Sequence, residues 1–324
     1  MKRRDFICGF SCLLAGAAIS EIRNKAANKK TSYPKLSDYP ELEEGLGSIN
    51  IAAASHCNLS CKNCDTFSPL SSSEFVEYEQ LKKDLKKVKE LAPDRDIHIG
   101  FIGGEPTLNP DLTKMMKFVN ELYPNSGKSI LTNGLLLDRM SEEFWKEAKK
   151  GNYSFGITKY PLNIPREKYE KIAKENGINI NYDYPQAPKL YDLNTHEVID
   201  ENYNQEGFVW SKNILDLTGS QDYIEKRYTC PHKGIITYTR GNLYYCYVHA
   251  HIKSFIDYFK VNIPVTKDDY IKIAEVKDIQ EIDKFISTPK PLCRFCKQCH
   301  NTCYGGKPLE WGFSKREITE WTMG

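Results

Sequence analysis

The spacing of apolar positions along this chain switches repeatedly between two periods. Asp96-Ile97-His98-Ile99-Gly100-Phe101-Ile102 alternates, which predicts a strand over 96–102. Leu81, Leu85, Val88 and Leu91 recur every three or four residues with lysines opposite, which predicts a helix over 74–91 ended by Pro93. The exchange then repeats. The apolar run 49–54 reads as the first strand. Leu112, Met115, Val119 and Leu122 form a helical stripe behind Asn109 and Pro110, placed as N-cap and first-turn residues. Strands are expected at 129–132, 153–158 and 178–182, and helices at 141–150 and 166–176. Such alternation means βαβ units and a parallel sheet.

The rhythm fails between Pro185 and Tyr228, a Tyr-, Asn- and Asp-rich stretch with an aromatic patch at Phe208-Val209-Trp210. Long irregular segments inside domains are often functional, so this one is expected to cover a substrate pocket. Gly234 to Leu243 then reads as a hairpin turning at Arg240-Gly241-Asn242, followed by helical stretches starting near Lys267 and Asp278. Four segments result: a leader over 1–30, a Pro- and acid-rich linker over 31–47, an α/β domain over 48–228, and a cysteine-rich domain over 229–324.

Composition narrows the function. The 324 residues carry 45 basic and 43 acidic side chains, a net charge of +2, so no electrostatic footprint for nucleic acid is present. The apolar run Ile7 to Ile19 is too short for a comfortable permanent membrane span. Eleven cysteines gather at metal-ligand spacings, unlike a disulfide framework.

Cys57, Cys61 and Cys64 form C-x3-C-x2-C in the loop after the first strand. Three thiolates hold a corner of an iron–sulfur cluster and leave one iron open to another ligand. A zinc site short of one ligand, or three unrelated thiols, shares the spacing. Gly103-Gly104-Glu105-Pro106 follows the second strand, where glycines let the backbone approach a ligand and Glu105 offers a carboxylate at the strand end. Thr132-Asn133-Gly134 ends the third, as a site or as a plain Asn-Gly turn. His98 is expected as an ordinary strand side chain. Thr158 and Lys159, at the end of a later strand, are in reach of a ligand. Cys230 and Cys246 flank the hairpin and meet Cys293-x2-Cys296-x2-Cys299-x3-Cys303 in what reads as a four-thiolate site for iron–sulfur or zinc.

This set of motifs resembles the radical S-adenosylmethionine (radical SAM) enzymes. The resemblance covers roughly residues 48–324 and implies a partial, TIM-like (β/α)6 barrel with a small C-terminal auxiliary-cluster domain similar to SPASM or Twitch extensions. It implies that Cys57, Cys61 and Cys64 hold a catalytic [4Fe–4S] cluster whose fourth iron chelates SAM. It places Gly103, Gly104, Glu105 and Pro106 at the SAM amino group and Thr132 and Asn133 near its ribose. Asn63 stands where many members carry an aromatic residue against the adenine. The cysteine pattern is shorter than a full SPASM set, so one auxiliary [4Fe–4S] cluster is expected on Cys230, Cys246, Cys293 and Cys296. Cys299 or Cys303 then substitutes for one ligand or remains a thiol able to return a hydrogen atom. The implied activity is reductive cleavage of SAM to a 5′-deoxyadenosyl radical that takes hydrogen from a peptide or carbohydrate, with flavodoxin or ferredoxin as reductant. The alternatives are an iron–sulfur electron carrier, disfavoured by Gly-Gly-Glu-Pro, and a zinc-binding interaction module. SAM chemistry implies the cytoplasm. Against that, residues 1–20 carry the charged start, apolar run and small residues of an export signal, and Arg3-Arg4 before Phe6 resembles a twin-arginine signal.

Overall fold

The computed structural model describes residues 45–183, 187, 189–203, 205, 213–230, 232–298 and 311–322. These lie in one of the two units into which the chain divides, Leu42–Gly324. The leader, most of the linker, the 208–210 patch, Cys299 and Cys303 lie outside the described residues.

Five strands come in the expected order: β1 (Ser48–Ala54), β2 (His98–Gly103), β3 (Lys128–Thr132), β4 (Ser154–Thr158) and β5 (Asn179–Asp183). Between them run α1 (Tyr78–Leu91), α2 (Leu112–Leu122), α3 (Glu142–Lys150) and α4 (Glu167–Glu175), and each strand pairs in parallel with the next. Ile49, Ile51, Ile99, Phe101, Ile130, Phe155 and Ile157 bury one face of the sheet against Leu81, Leu85, Val88, Met115, Val119 and Phe144 of the helices. Each such side chain contributes roughly 1.5–3 kcal/mol on burial. The architecture is α/β with a mostly parallel sheet, consistent with a partial TIM-like barrel.

The sixth parallel strand is not the one after β5. After β5 the chain forms a small antiparallel pair, β6 (Leu190–Tyr191) with β7 (Val198–Asp200), then β8 (Asn213–Leu215) and α5 (Tyr223–Thr229). The stretch expected to be irregular thus holds short elements whose pairing is too brief to mark the sequence. β9 (Thr237–Thr239) then returns to the other side of β1 and pairs with it in parallel. The expected hairpin joins β9 to β10 (Asn242–Tyr244) through Arg240 and Gly241, both at positive φ, as a two-residue turn between twisted strands requires.

Near Lys267 the structure has β11 (Tyr270–Lys272), paired with β10, where a helix was expected. An unexpected helix, α6 (Tyr247–Phe259), precedes it, and α7 (Ile279–Ser287) begins behind the Asp278 cap as expected. The eight-stranded order is β11-β10-β9-β1-β2-β3-β4-β5, so the sheet continues across the boundary drawn at residue 228. β12 (Cys296–Gln298) pairs with β8 outside it.

Candidate active site

The loops at the C-terminal ends of β1, β2 and β3 lie side by side because the strands are parallel neighbours. The first carries Cys57, Cys61 and Cys64, all partly exposed. Leu59 N donates to Cys57 Sγ over 3.3 Å, and Asn133 Nδ2, from the loop after β3, donates to the same sulfur over 3.4 Å. Asn133 also donates to Asn58 Oδ1 at 2.8 Å. The Cys64 sulfur lies 3.2 Å from Thr66 Oγ1. Donors aimed at sulfur favour the thiolate form that a metal needs.

The two glycines after β2 are required by the close approach of this loop to the first. Gly103 has φ +139°, and a Cβ there would sit 2.3 Å from Ala54 O. A Cβ on Gly104 would sit 2.1 Å from His56 O. Gly104 N and Glu105 N donate to the Ala54 and His56 carbonyls, stitching the second loop to the first.

Glu105 is completely buried and joins all three loops. Its Oε1 accepts from Thr107 N (3.1 Å), Thr107 Oγ1 (2.5 Å) and Thr132 Oγ1 (2.7 Å), while Oε2 accepts from Asn133 N (2.8 Å). One acceptor position remains on Oε2. Burial pushes the carboxyl upward and these four hydrogen bonds pull it back. Pro106 opens the short turn after Glu105. Asn109 does not cap α2, which begins at Leu112. It bridges instead, donating to the Ala53 and Val76 carbonyls and accepting from Asp111 N. His98 is a strand side chain as expected, with Nε2 2.9 Å from Ser129 Oγ.

Two further groups close on the cysteine loop. Residues 312–314 run antiparallel to it: Lys62 N donates to Gly312 O at 2.8 Å and Ser314 N to Ser60 O at 2.7 Å. Trp321 Nε1 donates to Cys64 O at 2.9 Å. Trp311, Leu59 and Leu162 form a small buried cluster against which Cys57, Cys61, Tyr160, Tyr191 and Phe313 pack. Of the residues after β4, Lys159 places its ammonium over the Tyr182 ring. It is Tyr160 that meets the cysteines, hydrogen-bonded to Cys61, and burial together with the nearby thiolates pushes its hydroxyl well up. Its position just past a strand end, like that of Asn133, was the available sequence signal.

These residues fit a bound anionic cluster and its ligand. Burial, then the charge of Glu105, pushes the Cys57 thiol well up, so loading a metal releases protons. Among the described residues, some buried polar atoms without a hydrogen-bond partner lie here: His56 Nδ1, both amide atoms of Asn63, and Trp311 Nε1. Such orphans are rare in folded proteins and mark a missing ion, ligand or water.

The second site is assembled from distant elements. Cys230 follows α5, Cys246 is the N-cap of α6, Cys293 sits in the turn 291–295 and Cys296 begins β12. All four line one small cavity with Lys226, His232 and His249. Asp269 fixes one wall, accepting from Leu292 N at 2.9 Å and from Thr266 N at 2.8 Å. Asp216 N donates to Phe295 O at 2.8 Å, tying the turn to β8. His249 Nε2 lies 3.5 Å from Cys293 Sγ. Burial pushes the Cys246 thiol up to about 12, aided by Cys230 and, more weakly, by Asp65, the residue after Cys64. Among the described residues no three side chains converge on a single metal ion. Four thiols gathered on one cavity are a donor set that iron–sulfur clusters and zinc both use.

Residues 53–181 match the family model of the Radical SAM superfamily. The chain is similar to the FeMo cofactor biosynthesis protein NifB of Methanocaldococcus jannaschii, 26% identical over 55% of this chain and 69% of that protein. It is also similar to the GTP 3′,8-cyclase of Nautilia profundicola, 27% identical over 43% of this chain and 42% of that protein. With the probable GTP 3′,8-cyclase of Methanothermobacter marburgensis it shares 31% identity over 60% of this chain and 62% of that one. The chain thus spans less than two thirds of either cyclase. Among solved structures, BtrN in complex with AdoMet and 2-DOIA aligns over 79% of this chain and 94% of that one, at 17% identity and a TM-score of 0.47. The stretch of this chain that matches the Radical SAM superfamily model contains the three loops that Glu105 joins.

Proposed function

We propose that this chain reductively cleaves SAM and removes hydrogen from a peptide or carbohydrate, with Cys57, Cys61 and Cys64 holding a [4Fe–4S] cluster. When bound, that cluster and SAM supply a 5′-deoxyadenosyl radical strong enough to attack an unactivated C–H bond. The observation that carries the reading is the buried Glu105 carboxylate, bonded to the loops after β2 and β3 and near enough to Cys57 for its charge to act on that thiol. Gly103, Gly104 and Pro106 bring that carboxylate against the cysteine loop. Thr132 and Asn133 hold it there, with Oε2 accepting from Asn133 N. Leu59 N and Asn133 Nδ2 stabilise the Cys57 thiolate, and Trp311, Tyr160 and Phe313 keep water from one side of the loop.

Cys230, Cys246, Cys293 and Cys296 hold one auxiliary [4Fe–4S] cluster, with a flavodoxin or ferredoxin as the reductant. The SAM chemistry belongs in the cytoplasm. No described helix is long and apolar enough to cross a membrane.

Anaerobic reconstitution followed by iron and sulfide counts, reduction with dithionite, and assay for 5′-deoxyadenosine tests the reading. About eight irons per chain are expected, as two four-iron clusters require, with product lost in Cys61→Ala. Zinc in place of iron, or clusters that leave SAM intact, contradicts it and favours a binding or electron-transfer protein.

A further inference from the structure

The aromatic group packed on the cysteine loop does more than fill space. Tyr160 comes from the end of β4 and Trp311 from the C-terminal segment, over a hundred residues apart in sequence. Their ring centroids lie 5.4 Å apart, and Trp311 is a further 5.4 Å from Tyr191 and 5.0 Å from Phe313. Three rings and Leu59 hold the indole almost wholly inside the protein, 2% exposed, yet its Nε1–H has no acceptor among the described residues. Leaving such a donor unpaired costs about 1–3 kcal/mol. In the same group the Tyr160 hydroxyl is hydrogen-bonded to Cys61. Both polar atoms therefore sit in the one apolar cluster that contains Cys57 and Cys61.

We propose that Tyr160 and Trp311 set the reduction potential of the cluster held by Cys57, Cys61 and Cys64, by donating an O–H and an N–H hydrogen bond to its sulfur atoms. The inference rests on the cluster reading above. Hydrogen bonds to sulfur are among the groups that tune iron–sulfur potentials. A donor stabilises the reduced, more negative form more than the oxidised one, so each bond raises the potential and eases one-electron reduction. The two residues are positioning groups on the protein side of the cluster and need not touch the substrate.

Tyr160→Phe keeps the ring and deletes only the donor, while Trp311→Phe deletes the donor and trims the indole to a smaller ring. In the reconstituted full chain, a redox titration monitored by electron paramagnetic resonance reads the midpoint of the signal that changes when SAM is added. That response singles out the cluster with an open iron. Each variant is expected to shift the midpoint to more negative potential by about tenfold in the reduction equilibrium, ~59 mV for one electron. The double variant shifts further, with iron and sulfide contents unchanged. Midpoints equal to wild type in both fully loaded variants overturn the inference and leave the cluster reading standing. Loss of iron from both variants also overturns it, because the rings would then be packing elements only. A wild-type chain with no SAM-responsive signal overturns the cluster reading itself.

Discussion

The two cysteine sites are built by opposite routes. The first takes its three thiols from eight consecutive residues, and the structure spends its long-range contacts on the loop around them: Glu105 after β2, Asn133 after β3, Tyr160 after β4 and the 312–314 segment. The second takes four thiols from four separate elements, enclosed against an apolar group of Phe67, Val248, Phe255, Leu292 and Trp321. A contiguous loop with three ligands leaves a position open and is held by its neighbours. A set gathered from distant elements exists only when those elements have packed. The comparison teaches that the first site depends on hydrogen-bonded loops and the second on the tertiary core.

That difference is open to attack by substitution. Glu105→Gln puts an amide where the carboxylate meets four donors, and is expected to cost roughly 3 kcal/mol. Because it loosens a group supporting the ligand loop, it is also expected to weaken retention of the first cluster by roughly 10- to 100-fold. Denaturant titration and iron retention at limiting sulfide check both figures, and the second site should keep its iron.

A smaller effect is expected of Gly104→Ala, whose Cβ would meet the His56 carbonyl at 2.1 Å. Backbone cannot yield as a side-chain tip can, so about 2 kcal/mol is expected. The strain falls on the junction of the first two loops. If Gly104→Ala disturbs the second site as much as the first, the two are not separately built.

Acid should act on the other side. His251, buried on α6, is brought down to about 4 by burial and then by Arg240. The unfolded chain therefore binds a proton between pH 6.5 and pH 4 that the folded chain refuses, and stability falls as pH drops through that window. Roughly 1 kcal/mol should be lost between pH 7 and pH 5.5. Comparing denaturation of wild type and His251→Leu at both values isolates this share, and an unchanged slope in the variant would assign it elsewhere.

The sequence made the first site readable because its residues follow strand ends in order. The alternating 98–102 run and the helical stripe of Leu81, Leu85 and Val88 each report a face buried against a neighbour close in the chain. β9 could be read as half of a hairpin, yet its parallel pairing with β1 depends on residues nearly two hundred positions away. α6 escaped because Tyr247-Val248-His249-Ala250-His251-Ile252 alternates apolar and polar residues. Its helical face shows only in how Val248, Ile252 and Phe255 pack. The 312–314 segment has no periodicity of its own and is defined by its bridge to the loop at 60–62. β11, three residues long, is fixed by β10 in the same way. Tyr160 and His249 sit at the sites for reasons of tertiary position, and only the neighbouring motifs hinted at them.

The most direct test of this account sets Cys61→Ala beside Cys293→Ala, with iron counted and the SAM-induced change in the electron paramagnetic resonance signal recorded. Iron is expected to fall from about eight to about four per chain in each variant. The SAM-induced change should vanish in Cys61→Ala and persist in Cys293→Ala. A SAM response that survives Cys61→Ala, or that disappears only with Cys293→Ala, would contradict the assignment of the open position to the loop after β1.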